Sequence, residues 1–161
     1  MRFVAITPQN EHFVDAIYAG DEAQYWVHYN AYWKENSREH DDIEARLIYV
    51  EDEPVGFIAY GQHYADEALT QPVAGFYEVI HTVIDVKHQR RGYGRQATLM
   101  AIELLKAKPD CEWIVIAHNP ANQIARKLYE SLGFEVFGVN YDGDPLLRMK
   151  AGRQHAYRSA G

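Results

Sequence analysis

Gln89-Arg90-Arg91-Gly92-Tyr93-Gly94 lies between a run rich in β-branched residues and an amphipathic run. Gly92 and Gly94 permit tight backbone geometry and close approach by a ligand. A helix starting there offers unpaired N–H groups and the positive end of its dipole. Together these bind anions, phosphate foremost. Lys87, Arg90, Arg91 and Arg95 add positive charge. The spacing is neither the G-x-x-x-x-G-K-[ST] loop nor the dinucleotide G-x-G-x-x-G. The plainer alternative is a glycine-containing connection with solvated arginines.

Other chemistries find little support. Cys111 is the only cysteine, so no internal disulfide forms. HExxH, paired cysteines and G-x-S-x-G are absent, and the serines are only Ser37, Ser131 and Ser159. His12, His28, His40, His63, His88, His118 and His155 are scattered without metal-site spacing, so no metal is expected. The net charge of −7 argues against nucleic acid as a partner. That charge is uneven. Residues 1–45 hold nine acids against Arg2, Lys34 and Arg38, while residues 87–108 hold six bases against Glu103. No apolar run reaches membrane-spanning length, and residues 1–10 lack the pattern of a secretory signal. A cytoplasmic location without membrane contact is therefore expected.

The elements that must position these residues are legible in outline. At 161 residues, with 47% apolar and 24% charged residues, the chain suits one folded domain. Residues 3–7 are predicted as a strand, and 11–19 as a helix capped by Asn10. Asp21 caps a second helix to Glu35, whose Tyr25, Tyr29, Tyr32 and Trp33 stripe reads mostly as core. Residues 46–50 and 55–60 form a hairpin, 62–75 a loop and 76–86 a longer strand. Ala97, Met100, Ala101, Leu104 and Leu105 mark an amphipathic helix. A strand at 112–117 follows. Asn119 is predicted to cap a helix with Pro120 at its first position, Ile124, Leu128 and Leu132 inward, and Gly133 at its end. Strands at 134–139 and 145–150 complete a domain over 1–150, with 151–161 a tail. The order β-α-α-β-β-β-α-β-α-β-β predicts an α/β fold with a mixed sheet.

With these elements in place, QRRGYG at 89–94 resembles the Gln/Arg-x-x-Gly-x-Gly/Ala pattern of the GNAT superfamily of acetyl-CoA-dependent N-acetyltransferases. NQIARKLYESLGF at 122–134 is similar to that family's N-x-x-A-x-x-L-Y-x-x-x-G-F run, in the expected order and separation. The likeness extends over about residues 45–150, and residues 8–44 match only in element order. It implies a single-domain fold with a mostly antiparallel sheet splayed between its fourth and fifth strands and helices on both faces. It also implies acetyl-CoA as cosubstrate. The pantetheine arm would pair with backbone groups near Ile84, Asp85 and Val86. The pyrophosphate would sit on backbone N–H groups of Arg91, Gly92, Tyr93, Gly94 and Arg95, with Gln89 and Arg90 also cofactor-binding. Asn122 matches the asparagine that meets the pantetheine arm.

The resemblance also implies roles in the chemistry. An alkyl ammonium, with a pKa near about 10.4, must lose a proton before it attacks a thioester. Tyr129 matches the family's tyrosine that protonates the departing thiolate. Glu78, eleven residues ahead of Gln89, has the offset of the family's glutamate base. His81 is a second candidate, on the opposite strand parity unless a bulge intervenes. Water chains are a third. The block at 45–64 and the IDVKHQRRGYG segment look closest to spermine/spermidine-type members, so a polyamine or other small cationic amine is the expected acceptor. Part of the tyrosine stripe would then line its pocket through cation–aromatic contacts. Protein or peptide N-acetylation and a non-catalytic acyl-CoA sensor are the alternatives. Family members are often homodimers, although no interface is identifiable in the sequence.

Overall fold

The computed structural model describes residues 1–21 and 28–152. They group into two compact units, residues 1–61 with 79–101, and residues 62–78 with those from 102 onward. Strands β3 (Glu53–Tyr64) and β4 (Pro72–Ile84) and helix α3 (Tyr93–Lys106) each contribute to both. Seven strands follow the order β1-β2-β3-β4-β5-β7-β6, an α/β fold with a mixed sheet as expected.

In the first unit, β1 (Arg2–Ala5) pairs antiparallel with β2 (Ile43–Val50), and β2 with β3. Leu47, Ile48, Val55, Phe57 and Ile58 are fully buried; the consecutive pairs Leu47–Ile48 and Phe57–Ile58 point to opposite faces of the sheet, so both faces are covered here. The hairpin turns tightly because Glu51 takes a positive φ of 56°. Its ladder runs beyond the predicted ends, to Ile43 opposite Gly61. Only glycine fits there, since a Cβ would lie 2.1 Å from the Asp42 carbonyl oxygen.

Helix α1 (His12–Ala16) is shorter than predicted. Asn10 closes the preceding turn instead of capping the helix. Its Oδ1 accepts from the Thr7 N–H at 2.8 Å and its Nδ2 donates to the Ala5 carbonyl at 3.0 Å. The chain becomes extended at Ile17, which lets the Tyr18 N–H reach Asp85 Oδ2 at 2.9 Å. Helix α2 (His28–Glu39) runs four residues past its predicted end; Tyr25 lies outside the described residues. Among the described residues of its aromatic stripe, Trp33 alone is core. Tyr29 and Tyr32 are exposed and meet edge to face.

In the second unit, β5 (Trp113–Ala117) and β6 (Glu135–Val139) each pair antiparallel with β7 (Pro145–Lys150). The first part of β4 lies parallel beside β5, where the Glu112 N–H donates to the Gly75 carbonyl at 2.8 Å. Residues 62–75 are not a loop as predicted: only 65–71 connect the strands. Gln62 and His63 have polar side chains, yet they belong to the ladder region. Gln62 Nε2 donates to the Val73 carbonyl at 2.8 Å and the Phe76 carbonyl at 3.1 Å. Asp66 closes the turn by accepting from the Thr70 and Gln71 N–H groups at 2.9 Å each.

The predicted cap at Asn119 is also revised. Asn119 accepts from the Ala121 N–H at 2.9 Å and closes only a turn. Helix α4 (Gln123–Ser131) begins later, capped by Asn122, which accepts from the Ala125 N–H at 3.1 Å. Ile124 therefore falls in its first turn and is 85% exposed rather than inward, and no residue of α4 is fully buried. Gly133 ends the helix as expected, with φ 102° and its N–H on the Glu130 carbonyl at 3.1 Å. In α3 the buried line is Ala97, Thr98, Ala101, Ile102 and Leu105, which leaves Leu104 on an exposed flank. Ala151, placed in the predicted tail, is buried and donates to the Glu112 carbonyl at 2.9 Å. Among the described residues no helix is long and apolar enough to cross a membrane.

Candidate active site

The glycine-containing turn at 89–95 belongs to the first unit and is built from within. Asp85, buried at the end of β4, accepts from the Tyr18 N–H at 2.9 Å and from the Lys87 N–H at 3.0 Å. Its own N–H donates to the Val55 carbonyl at 2.8 Å. A 3-10 turn over Val86–His88 follows. Gln89 Nε2 then donates to the Ile84 carbonyl at 2.9 Å and the Ala19 carbonyl at 3.1 Å. The expected availability of backbone groups is thus only partly met. The Asp85 N–H is engaged, the Val86 N–H bonds the Tyr18 carbonyl at 2.6 Å, and the Ile84 carbonyl accepts from Gln89. Asp85 and Gln89 shape the turn.

Two residues in this turn adopt left-handed backbone, Arg90 at φ 66° and Gly92 at φ 79°. For Arg90 that conformation costs about 1–2 kcal/mol, which the surrounding bonds must hold. A Cβ built at Gly92 meets nothing within 4 Å, so this side of the turn is open. Helix α3 starts at Tyr93, and the Gln96 N–H reaches back to the Gly92 carbonyl at 3.0 Å. The N–H groups ahead of Gln96 have no acceptor within the helix. Lys87, Arg90, Arg91 and Arg95 are exposed, and no ion pair among the described residues engages them. Open N–H groups, a helix dipole and uncompensated cations are features suited to an anion.

His81 lies in the same unit. Its Nε2 is 2.7 Å from Asn30 Oδ1, while Asn30 Nδ2 donates to the Val14 carbonyl at 3.4 Å. That amide orientation makes His81 Nε2 the donor and puts the neutral ring's basic lone pair on Nδ1. The rings of Tyr29 and Phe57 flank it at 6.2 and 5.9 Å.

In the second unit, Asn122, Arg126 and Tyr129 follow one flank of α4 at i, i+4 and i+7. The Asn122 carbonyl oxygen accepts from the Ala125 N–H as the helix cap. Burial pushes the Tyr129 phenol above the usual tyrosine range, so it is protonated at neutral pH. The rings of His118 and Phe134 stand 6.3 and 6.1 Å away. His118 Nδ1 donates to the Asn119 carbonyl at 2.7 Å, and its Nε2 accepts from Arg126 Nε at 2.9 Å. Glu78 also belongs to this unit. Its Oε1 lies 2.7 Å from His63 Nδ1, with the side chains 17% and 10% exposed.

The structure therefore joins Gln89 to Arg95 in one turn, pairs Glu78 with His63, and sets His81 against Asn30. The sequence pattern did not single out His63, Arg126, His118 or the bracing role of Asp85. All four act through partners distant in the chain or held by local folding, so no short motif carries them. Among the described residues no three metal-ligating side chains converge.

Comparison with known proteins agrees with this architecture. A structure of aminoglycoside acetyltransferase AAC(6')-Ib with coenzyme A has a TM-score of 0.71 at 17% identity, covering 99% of this chain and 98% of that one. The same values hold for its complex with coenzyme A and kanamycin. An acetyltransferase from Thermus thermophilus has a TM-score of 0.67 at 16% identity, covering 92% of this chain and 96% of that one. A ribosomal-protein-alanine N-acetyltransferase from Brucella melitensis has a TM-score of 0.63 at 19% identity, covering 93% and 98%. At such identities the likeness is one of fold. No curated protein sequence matches the chain. The family model described as Acetyltransferase (GNAT) family matches residues 8–134, a span holding both the braced turn and the helix of Asn122 and Tyr129. On that match the chain belongs to the GNAT family of acetyltransferases.

Proposed function

We propose that this protein transfers an acetyl group from acetyl-CoA directly to a primary amine. The observation that carries the proposal is the open, cationic turn at 89–95, braced by Asp85 and Gln89, in a chain of this family. The turn holds the pyrophosphate, and Asn122 meets the pantetheine arm through Nδ2. Glu78 or His81 supports loss of the ammonium proton. The amine lone pair then forms a bond to the thioester carbonyl carbon. As the tetrahedral adduct collapses, the C–S bond breaks and sulfur takes the Tyr129 proton. The nitrogen's remaining excess proton restores the phenol.

A small cationic amine, a polyamine above all, is the acceptor we favour. Exposed Tyr29 and Tyr32 on α2 offer aromatic faces to a cation, with Asp15, Glu39 and Asp41 exposed in the same acidic N-terminal region. A second possibility, a protein amine, is prompted by the Brucella melitensis relative, whose name assigns it ribosomal-protein alanine. A homodimer belongs to the same proposal; every residue of β6 is exposed, including Val136, Phe137 and Val139. The site of action is taken as the cytoplasm.

The test is thiol release from acetyl-CoA against spermidine, spermine, kanamycin, amino acids, neutral arylamines and an alanine-starting peptide. Turnover led by polyamines supports the favoured acceptor, and turnover of the peptide alone supports the protein acceptor. Coenzyme-dependent stabilisation without any turnover would point to a sensor.

A further inference from the structure

We propose that His63 takes the proton from the acceptor ammonium and that Glu78 is its positioning residue; this rests on the acetyl-transfer function proposed above. A carboxylate can only accept a hydrogen bond, so the 2.7 Å contact with Glu78 places a proton on His63 Nδ1. In the neutral ring the basic lone pair is then on Nε2. Once Nε2 is protonated, the adjacent carboxylate stabilises the resulting imidazolium.

Basicity decides between the two partners. An alkyl ammonium has a pKa near about 10.4, an ordinary imidazole about 6.5 and an ordinary glutamate about 4.3. Proton transfer to the imidazole is thus roughly two pKa units less uphill than transfer to the carboxylate. The local framework holds the pair in place. Gln62, next to His63, ties β3 to the Val73 and Phe76 carbonyls of β4, and the Phe76 ring lies 6.3 Å from the His63 ring. Glu78 is the ionisable group that β4 sets against His63; Phe76 beside it is apolar. His81 differs in that its Nε2 is held by the neutral Asn30 amide rather than by a carboxylate.

The step balances. An ammonium N–H bond breaks as the His63 Nε2–H bond forms, and the freed lone pair attacks the acetyl carbonyl carbon. After C–S cleavage with Tyr129 as acid, the nitrogen's second proton restores the phenol, and His63 returns its proton to solvent.

Two readouts test this on the full chain. Long-range ¹H–¹⁵N spectra of the histidine rings, assigned through the backbone resonances, should report His63 as the Nδ1–H tautomer, and E78A, which removes the acceptor, should abolish that preference. Thiol release should be followed with whichever amine of the panel is best acetylated. H63Q should lower kcat/KM by about 10²–10³-fold while leaving the melting shift caused by acetyl-CoA intact. Free imidazole should restore at least about tenfold of the activity lost in H63A. In E78Q the acidic limb of kcat/KM should move to lower pH, because the imidazolium has lost its counter-charge, and E78D should move it back. An Nε2–H tautomer in the unmodified protein, or H63Q activity within about threefold of normal, would overturn the proposal alone. The spectra of the unmodified protein decide even if H63Q fails to fold. Absence of acetyl transfer to any amine would instead overturn the underlying function together with it.

Discussion

At Tyr129, burial favours the neutral phenol, so the residue keeps its proton at neutral pH. Y129F should lower kcat by about 10²–10⁴-fold, the usual cost of losing a general acid. Acetyl-CoA affinity, read from thermal shift, should stay near normal. The raised folded-state pKa also has a stability consequence. Its contribution is full below the unfolded tyrosine value and is lost as pH rises through the folded value, so the alkaline side of the stability curve should fall more steeply than in Y129F. Glu11 works in the opposite sense. Hydrogen bonds and ion pairs from Lys34 and then Arg38 hold its carboxyl below the usual range. That contribution is present above the unfolded value, near about 4.3, and is lost as pH falls through the folded one. E11Q should therefore flatten the acid side of the stability curve, measured by melting temperature against pH. Tyr129, Asn122 and Gly92 were legible in the sequence because each sits inside a short pattern. His63 was not, since its contact with Glu78 spans fifteen positions and depends on strand register.

At the level of elements, the turn after β4 is where local geometry and ligand chemistry meet. Gly92 has open space but a φ of 79°, so the obstacle to substitution there is backbone strain and loss of close approach rather than a clash. G92V should abolish the melting shift produced by millimolar acetyl-CoA while the protein still unfolds cooperatively. D85A should weaken the same shift from inside, because it removes the bonds to the Tyr18 and Lys87 N–H groups. Leaving the shift unchanged in both variants would mean that the turn does not hold the coenzyme. Periodicity placed β5, α3, β6 and β7 to within a few residues. It failed at 62–75, where Gln62 and His63 suggested a loop but are satisfied by hydrogen bonds within the strands. It also failed at Asn119, because two asparagines three residues apart each accept from a backbone N–H just ahead, the first closing a turn and the second starting the helix.

Across the whole molecule, the −7 charge is partly compensated near the N-terminus. Glu11, Glu35 and Glu44 pair with Lys34, Arg38 and Arg46, while Asp15, Glu39 and Asp41 remain exposed. If these steer a cationic acceptor, raising salt from about 50 to about 500 mM should raise KM for spermidine more than it alters kcat, because exposed charges are screened. A salt-insensitive KM, with amino acids or neutral arylamines acetylated best, would remove the polyamine preference and leave the general reaction. The asymmetry of charge was visible in composition, but its local neutralisation by Lys34 and Arg38 was not, because those pairs form between α2 and the residues around α1. The central claim is acetyl transfer itself. Its most direct measurement is parallel quantification of free coenzyme A thiol and acetylated amine by mass spectrometry when the purified chain meets acetyl-CoA and the amine panel. Equal amounts of both products, lost together in Y129F, are the expected result; tight acetyl-CoA binding with neither product formed for any amine would contradict it.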